Sequence, residues 1–253
     1  MKIGLALSGG GVRGIAHIGA LKALEEHQLL PSHIAGTSAG AIVGGLYASG
    51  CSPEEILEFF KSVNPFSITN YAVNKPGFVN TEKLHSLFKE FLPEDSFESL
   101  KIPLSITATN VLDGSLKIFR EGQLINAILA SAAFPGIFTP VKIKDNYYVD
   151  EGTLNNFPVD LVKKDNDKVI GVYVNPFEKI TIKELKYFYN VVERAFQIRS
   201  ANDSHAKFDL CDLLILPEDL GSYSTFSLKE MDNIFQLGYE ATIKVLQSEK
   251  GIF

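Results

Sequence analysis

The stretch that most constrains this chain is Gly36-Thr37-Ser38-Ala39-Gly40, which follows the short apolar run His33-Ile34-Ala35 and opens a helical run from Ala39 to Ser49. A Gly-x-Ser-x-Gly at a strand-to-helix corner has a mechanical meaning. Small residues flank a serine on a turn too tight for side chains, so the hydroxyl projects from the helix N-terminus. There the helix dipole and the free backbone N–H groups favour negative charge beside a nucleophile. Short patterns of Gly, Ser and Ala also recur as ordinary turns, so the corner is read together with what surrounds it.

A second glycine turn precedes it. Lys2 to Leu7 reads as a buried first strand, Ser8-Gly9-Gly10-Gly11-Val12-Arg13-Gly14 as a turn, and Ile15 to Glu26 as a helix with Ile15, Ile18, Leu21 and Leu24 at helical spacing. Gly9-x-Gly11-x-x-Gly14 formally satisfies the dinucleotide-binding fingerprint. That fingerprint calls for an acidic residue at the end of the second strand, to hold a ribose hydroxyl. Ile34-Ala35-Gly36-Thr37-Ser38 stands there without a carboxylate. The same glycines have another use, because bare N–H groups converging on one oxygen stabilise the oxyanion of a tetrahedral acyl intermediate. Arg13 adds a positive charge beside them. Tight strand–helix packing alone is the plainer use of such a turn.

The rest of the chain continues the alternation of strands and helices. Ser52-Pro53-Glu54-Glu55 starts a helix with a Ser cap, Pro in the first turn and acids at the positive end of the dipole. The segment from Asn64 to Phe78 is aromatic and punctuated by Pro, Gly and Asn, which marks 64–80 either as a lid or binding loop or as an insertion packed on the core. A helix from Thr81 to Phe91 is expected. Strands follow at Ile102 to Ala108 and Leu116 to Phe119, joined across Asp113-Gly114, then a small-residue helix from Gln123 to Ala133. Val141 to Ile143 and Tyr147 to Val149 form a hairpin across Asp145-Asn146 and deliver Asp150-Glu151-Gly152 at a strand end. An α/β enzyme places a base there, although the composition is also that of an ordinary turn. Val169 to Val174 is a buried strand, Lys183 to Ser200 a long helix, Leu213 to Leu216 a last strand, and Ser227 to Gln247 a closing amphipathic helix. With no repeat and no linker-like shift in composition, the alternation predicts one α/β domain over 1–253 with a mainly parallel central sheet.

Charge and cysteine usage narrow the class. A net charge of −6, with no basic strip, argues against a nucleic-acid partner. Cys51 and Cys211 are too few for a disulfide framework and no Cys/His spacing suits zinc. The apolar N-terminus breaks into glycines before it reaches signal-peptide length, so a cytoplasmic protein is expected, peripheral at a membrane at most, and the apolar segment from Pro65 to Phe78 is its candidate for transient membrane-surface contact.

Four blocks in fixed order carry a resemblance: Gly9-Gly10-Gly11-Val12-Arg13-Gly14, Gly36-Thr37-Ser38-Ala39-Gly40, Ala130-Ser131-Ala132-Ala133-Phe134-Pro135-Gly136-Ile137-Phe138, and Tyr148-Val149-Asp150-Glu151-Gly152 with Asn155-Asn156 and Pro158. Over about residues 1–160 the chain resembles the bacterial patatin-like phospholipases, while the last third matches only in its α/β pattern. The resemblance implies a three-layer patatin-like fold and a serine acyl hydrolase with a Ser–Asp dyad, needing no histidine, metal or other cofactor. It assigns Ser38 as nucleophile and Asp150 as base, and it places the oxyanion site on the backbone of Gly9, Gly10 and Gly11 with Arg13 nearby. Ser131 to Phe138 is expected to support the site or line the acyl channel, and the substrate to be a fatty-acyl ester of a phospholipid, lysophospholipid or related lipid.

One residue departs from the pattern. Glu151 stands where the family usually has Gly. At a position needing positive φ it would be strained, and a second carboxylate nearby raises the apparent pKa of the pair; alternatively it points to solvent. A catalytically weak lipid-binding or regulatory module of the same fold is the alternative reading that Glu151 raises. The chain order Ser, Asp, His of ordinary α/β-hydrolases offers another constellation, Ser38–Asp150–His205, because His205, in the polar stretch after the long helix, is the only histidine following Asp150.

Overall fold

The computed structural model describes residues 1–62, 82–177, 179–223 and 230–249. The lid or insertion expected at 64–80, and the start of the last helix at Ser227, lie outside them.

The first strand, β1 (Ile3–Leu7), is buried at every residue, as a strand covered on both faces must be. Its two faces differ in size. Leu5 and Leu7 point into the larger core, while Ala6 points into a second cluster with Phe157, Val159 and Val162. Along β2 (His33–Gly36) Ile34 takes the first face and Ala35 the second, and β7 (Lys168–Val172) divides Ile170 and Val172 from Val169 in the same way. Large aliphatics on one face and small residues on the other let two helical layers pack at different depths. The larger core holds residues of α1 (Ile15–Glu26), α2 (Ala39–Ser49), α5 (Leu124–Ala132) and α8 (Met231–Ser248); the second holds Val162 of α6 (Asp160–Lys163). The result is the expected layered α/β arrangement, helices over both faces of one sheet.

Five strands of that sheet, in the order β8 (Leu213–Ile215), β7, β1, β2 and β3 (Leu104–Asn110), are parallel. β4 (Leu116–Phe119), β5 (Val141–Ile143) and β6 (Asn146–Asp150) complete an eight-stranded sheet through antiparallel pairings. The register around β3 is decisive. Ile106 pairs with Gly36 and with Phe119, and Ala108 pairs with Asp150 and with Lys117. Each strand residue has two edges, and β4 occupies one of them along Ile106 to Thr109. So β2 and β6 share the other edge, one running up beside Leu104 to Ile106, the other coming down beside Asn110 to Ala108. They stop on either side of Thr107, and both chains leave the sheet there.

Local signals account for most boundaries. Residue for residue, α1, α2 and β4 match expectation. Gly50, at φ 106, ends α2 in the left-handed conformation. The N-terminus of α3 (Pro53–Ser62) is closed by a reciprocal pair of bonds, Glu55 N–H to Ser52 Oγ at 3.2 Å and Ser52 N–H to Glu55 Oε2 at 2.8 Å. Two expectations are corrected. The second hairpin turns at Lys144-Asp145, with Lys144 at φ 56, so Asn146 already pairs with Ile143. The long helix expected at Lys183 to Ser200 is α7, Phe188–His205. Thr181 and Glu184 close a separate short turn at Ile182–Glu184, Tyr187 is extended, and its N–H bonds Asn190 Oδ1 at 3.1 Å to restart the helix.

The closest helix contact is between α1 and α8. A Cβ on Gly19 would meet the Phe235 carbonyl, and one on Gly238 the Ala16 carbonyl, so the two backbones touch where neither helix has a side chain. Gly238→Ala is expected to lower the unfolding free energy by about 1–3 kcal/mol. Urea denaturation checks this. Gly19→Ala should cost a similar amount, and the double variant less than the sum because both changes prise apart one crossing.

Candidate active site

Ser38 stands where β2 hands over to α2. Its φ of 53° and ψ of −120° lie outside the regions a side-chain-bearing residue normally occupies, so the surroundings must hold it there. Its N–H donates to Ser131 Oγ at 2.8 Å, and its carbonyl accepts from the N–H groups of Ala41 and Ile42 at 2.9 and 3.1 Å. The flanking glycines are a steric requirement. A Cβ on Gly36 would strike the Gly40 carbonyl, and a Cβ on Gly40 would strike the Leu7 carbonyl at the end of β1. The corner is thereby drawn down onto the sheet, with Ser38 at its apex. Thr37 anchors the other side: its hydroxyl donates to the Asn155 carbonyl at 2.9 Å and accepts from the Thr107 hydroxyl at 2.7 Å.

Because β2 and β6 end beside Thr107, Asp150 at the close of β6 reaches the same place. The Ser38 hydroxyl stands beside its carboxylate and favours the charged form. Asp150 Oδ1 also accepts from the Gly152 N–H at 2.8 Å. The residue is only 3% exposed. Burial pushes its pKa up to about 6, against the opposing pull of the Ser38 hydroxyl and the Gly152 amide. A weakly nucleophilic hydroxyl held against a buried carboxylate of raised basicity is a pair suited to proton transfer.

Both groups face a cavity of about 200 Å³. Its walls are mostly apolar, with Ile42, Phe59, Phe60, Phe88, Phe134 and Phe138 among them. Two elements of the block Ala130 to Phe138 therefore contribute differently: Ser131 props the corner, while Phe134 and Phe138 form wall. Gly10, Gly11 and Arg13 also line this cavity, but Gly9 does not. Its N–H donates to the Asn156 carbonyl at 3.0 Å, and its carbonyl accepts from the Asn175 side chain. The expectation that all three glycines offer free amides thus narrows to Gly10 and Gly11, whose N–H groups have no acceptor among the described residues. Arg13 Nε donates to the Tyr223 carbonyl at 2.8 Å.

Asn175 and His17 were not singled out by the sequence. His17 is wholly buried, and its Nε2 lies 2.8 Å from the Ser8 carbonyl at the foot of the glycine turn. Burial lowers its pKa to about 4, so the ring is neutral and its Nε2–H serves as donor to that carbonyl. A lone histidine inside Ile15-Ala16-His17-Ile18-Gly19-Ala20-Leu21 was the available signal. For Asn175 there was none.

For Glu151 the expected strain and the expected exposure both fail, while the expected rise in carboxyl pKa holds. It has no positive φ, and it does not reach solvent. It opens a short turn, Glu151–Thr153, with its side chain fully buried and Oε2 accepting from the Thr109 hydroxyl at 2.5 Å. Oε1 has no hydrogen-bond partner among the described residues. Burial first, and the neighbouring Asp150 charge further, raise its pKa to about 7. The carboxyl therefore holds a proton over the acid and near-neutral range.

His205 does not join the pair. The polar stretch around it is the end of α7, Ser204 is buried, and His205 is exposed with its ring 4.9 Å from that of Phe208. It lines a neighbouring hollow rather than the cavity that Ser38 and Asp150 face. Among the described residues no three His, Cys, Asp or Glu side chains converge as metal ligands, and no helix is long and apolar enough to cross a membrane.

Known proteins resemble this chain in fold and in sequence. Solved structures with the same fold include VipD from Legionella pneumophila, at TM-score 0.55 and 15% identity over 98% of this chain and 67% of that one. The type III effector protein ExoU aligns at TM-score 0.52 and 17% identity, over 98% of this chain and 53% of its own. In sequence, an uncharacterized NTE family protein of Mycobacterium tuberculosis is 34% identical over 181 residues, 70% of this chain and 50% of that protein. Lysophospholipase NTE1 of Meyerozyma guilliermondii is 25% identical over 269 residues, 94% of this chain and 19% of that protein. The chain thus spans about half the length of the mycobacterial relative and less of the other. The family model described as patatin-like phospholipase matches residues 5–163, the stretch from β1 through α6 that carries both glycine turns, Ser38 and Asp150, and the chain belongs to the patatin-like phospholipase family.

Proposed function

We propose that this chain hydrolyses fatty-acyl esters of lipids through a Ser38 acyl-enzyme, with Asp150 as the base. The single observation that carries the reading is the Ser38 hydroxyl set beside a buried carboxylate on the wall of an apolar cavity. As Ser38 Oγ attacks the ester carbonyl, its proton passes to Asp150, and the carbonyl π electrons move onto oxygen. The Gly10 and Gly11 amides stabilise that oxyanion, with the Arg13 charge and the N-terminal dipole of α2 adding to the field. Collapse of the intermediate breaks the bond to the leaving alcohol, which takes the proton from Asp150. Water then attacks the acyl-enzyme, giving a proton to Asp150, and collapse of this second intermediate breaks the bond to Ser38 Oγ, which takes the proton back from Asp150 as the fatty acid departs. The apolar wall receives the acyl chain. The name of the NTE1 relative makes lysophospholipids the first substrates to test.

Treatment with a fluorophosphonate, read by intact mass, should give one adduct that disappears in Ser38→Ala. Asp150→Asn should lower kcat/KM on acyl esters by about 10²–10⁴-fold, and His205→Ala should leave it unchanged. An unlabelled, inactive protein would favour the lipid-binding module.

The pH profile is a second check. A base whose pKa has risen to about 6 gives turnover that falls away below pH 6, well above the range of an exposed carboxylate.

Glu151 predicts a stability effect of definite sign. Its folded pKa of about 7 lies above the unfolded value of 4.5, so its contribution is fully present below 4.5 and is lost as pH rises through 7. Glu151→Gln should therefore gain on the wild type between pH 5 and pH 8 by roughly 1–3 kcal/mol, measured by urea unfolding at both values.

A further inference from the structure

The helix that closes one side of the cavity carries an apolar strip on its other side. Toward the cavity, α7 presents Phe196, Gln197, Ser200 and Ala201. Away from it, Val191 (51% exposed), Val192 (60%) and Ile198 (45%) stand in solvent, with Ala195 also exposed between them. Positions 191, 195 and 198 recur at helical spacing, so they form one continuous stripe. Just before the helix, Ile182 (81% exposed) and Tyr187 (58%) extend the apolar surface.

The charge around this strip runs against that of the chain. Residues 178–199 contain Lys179, Lys183, Lys186, Arg194 and Arg199 against Glu178, Glu184 and Glu193, an excess of cations within a chain of net charge −6. Lys179, Lys183, Lys186 and Arg199 are exposed. Arg194 stacks on the Phe177 ring, 4.1 Å from its centroid, and that ring lines the cavity. Glu184 has its carboxylate engaged by the N–H and hydroxyl of Thr181.

Exposed aliphatic and aromatic side chains flanked by long basic ones match an interface whose interior is apolar and whose surface is anionic. Lysine and arginine stems lie along the apolar zone while their charges stay at the headgroups. We infer that the outer face of α7, with Ile182 and Tyr187 before it, is a docking surface for an anionic lipid bilayer. Docked in this way, the helix separates the bilayer from the cavity by its own thickness, so a lipid leaving the membrane meets the apolar wall close at hand. The inference rests on the lipid hydrolase reading for its purpose, although the binding itself does not depend on turnover.

Co-sedimentation with vesicles of dioleoylphosphatidylcholine, with and without dioleoylphosphatidylserine, tests it. The wild-type chain should bind the serine-containing vesicles more tightly than the pure choline ones, and added salt should weaken binding. V191S/V192S/I198S should weaken binding about tenfold, and K183E/K186E should remove the preference for phosphatidylserine. Both variants should keep wild-type thermal unfolding and wild-type turnover of a short, water-soluble ester. Vesicle binding equal in the wild type and both variants, or absent in the wild type while the soluble ester is still cleaved, overturns the surface and leaves the hydrolase reading standing. A dimer in sedimentation velocity that V191S/V192S/I198S converts to monomer, with vesicle binding unchanged, assigns the face to a second copy and also overturns it. Binding that follows the expected pattern without any ester cleavage upholds the surface and counts against the enzyme reading.

Discussion

A single hydrogen-bonding edge of β3 sets the architecture of the site. Two strands from distant parts of the chain, β2 and β6, use the two halves of that edge and come to an end on either side of Thr107. Neither can continue without colliding with the other. Each must turn out of the sheet at that point, and the residues that do so are Ser38 and Asp150. Their meeting is a consequence of strand register, which is far stiffer than a contact between two loops. A one-residue slip of β6 would turn Asp150 to the opposite face of the sheet.

Around this junction the structure gives up local comfort in several places. Ser38 is held at a positive φ by Ser131, by Thr37 and by glycines that allow the corner to press on the end of β1. Asp150 and Glu151 are both buried, which disfavours their charged forms. A carboxylate in water is a poor base. Burial raises Asp150 into the range where it both ionises near neutrality and accepts a proton readily. Glu151, bonded to Thr109 and carrying a proton through the near-neutral range, adds a buried carboxyl without adding a full charge beside Asp150. Its substitution for the usual glycine is thereby compatible with an ionisable Asp150.

Local sequence chemistry was enough for much of the fold. α1, α2 and β4 were legible because glycine turns, a left-handed glycine cap and continuous apolar runs announce their ends within a few residues. α7 was misplaced by several residues because its outer face carries valines and isoleucine in solvent, which blurs the apolar period that marks a buried helix side. Asp145-Asn146 has the composition of a turn, yet the cross-strand pairing of Ile143 with Asn146 moves the turn back by one residue. In the candidate site, Ser38, Asp150, Gly10, Gly11 and Arg13 were named from motifs and all face one cavity.

By itself the sequence determined which residues are candidates for the site and in what local setting they stand. A serine at a glycine-flanked strand-to-helix corner and an aspartate at a strand end are properties of a few consecutive residues, and short-range sterics enforce them. Only the tertiary structure decided which groups are free to act. The Gly9 amide is engaged because Asn156 comes back from the far end of β6, His205 is excluded because α7 carries it to the surface, and Glu151 is buried because Thr109 of β3 lies beside it. Each of these depends on a partner remote in sequence. Burial and hydrogen-bond satisfaction are set by what packs against a residue, and its neighbours in the chain do not contain that information.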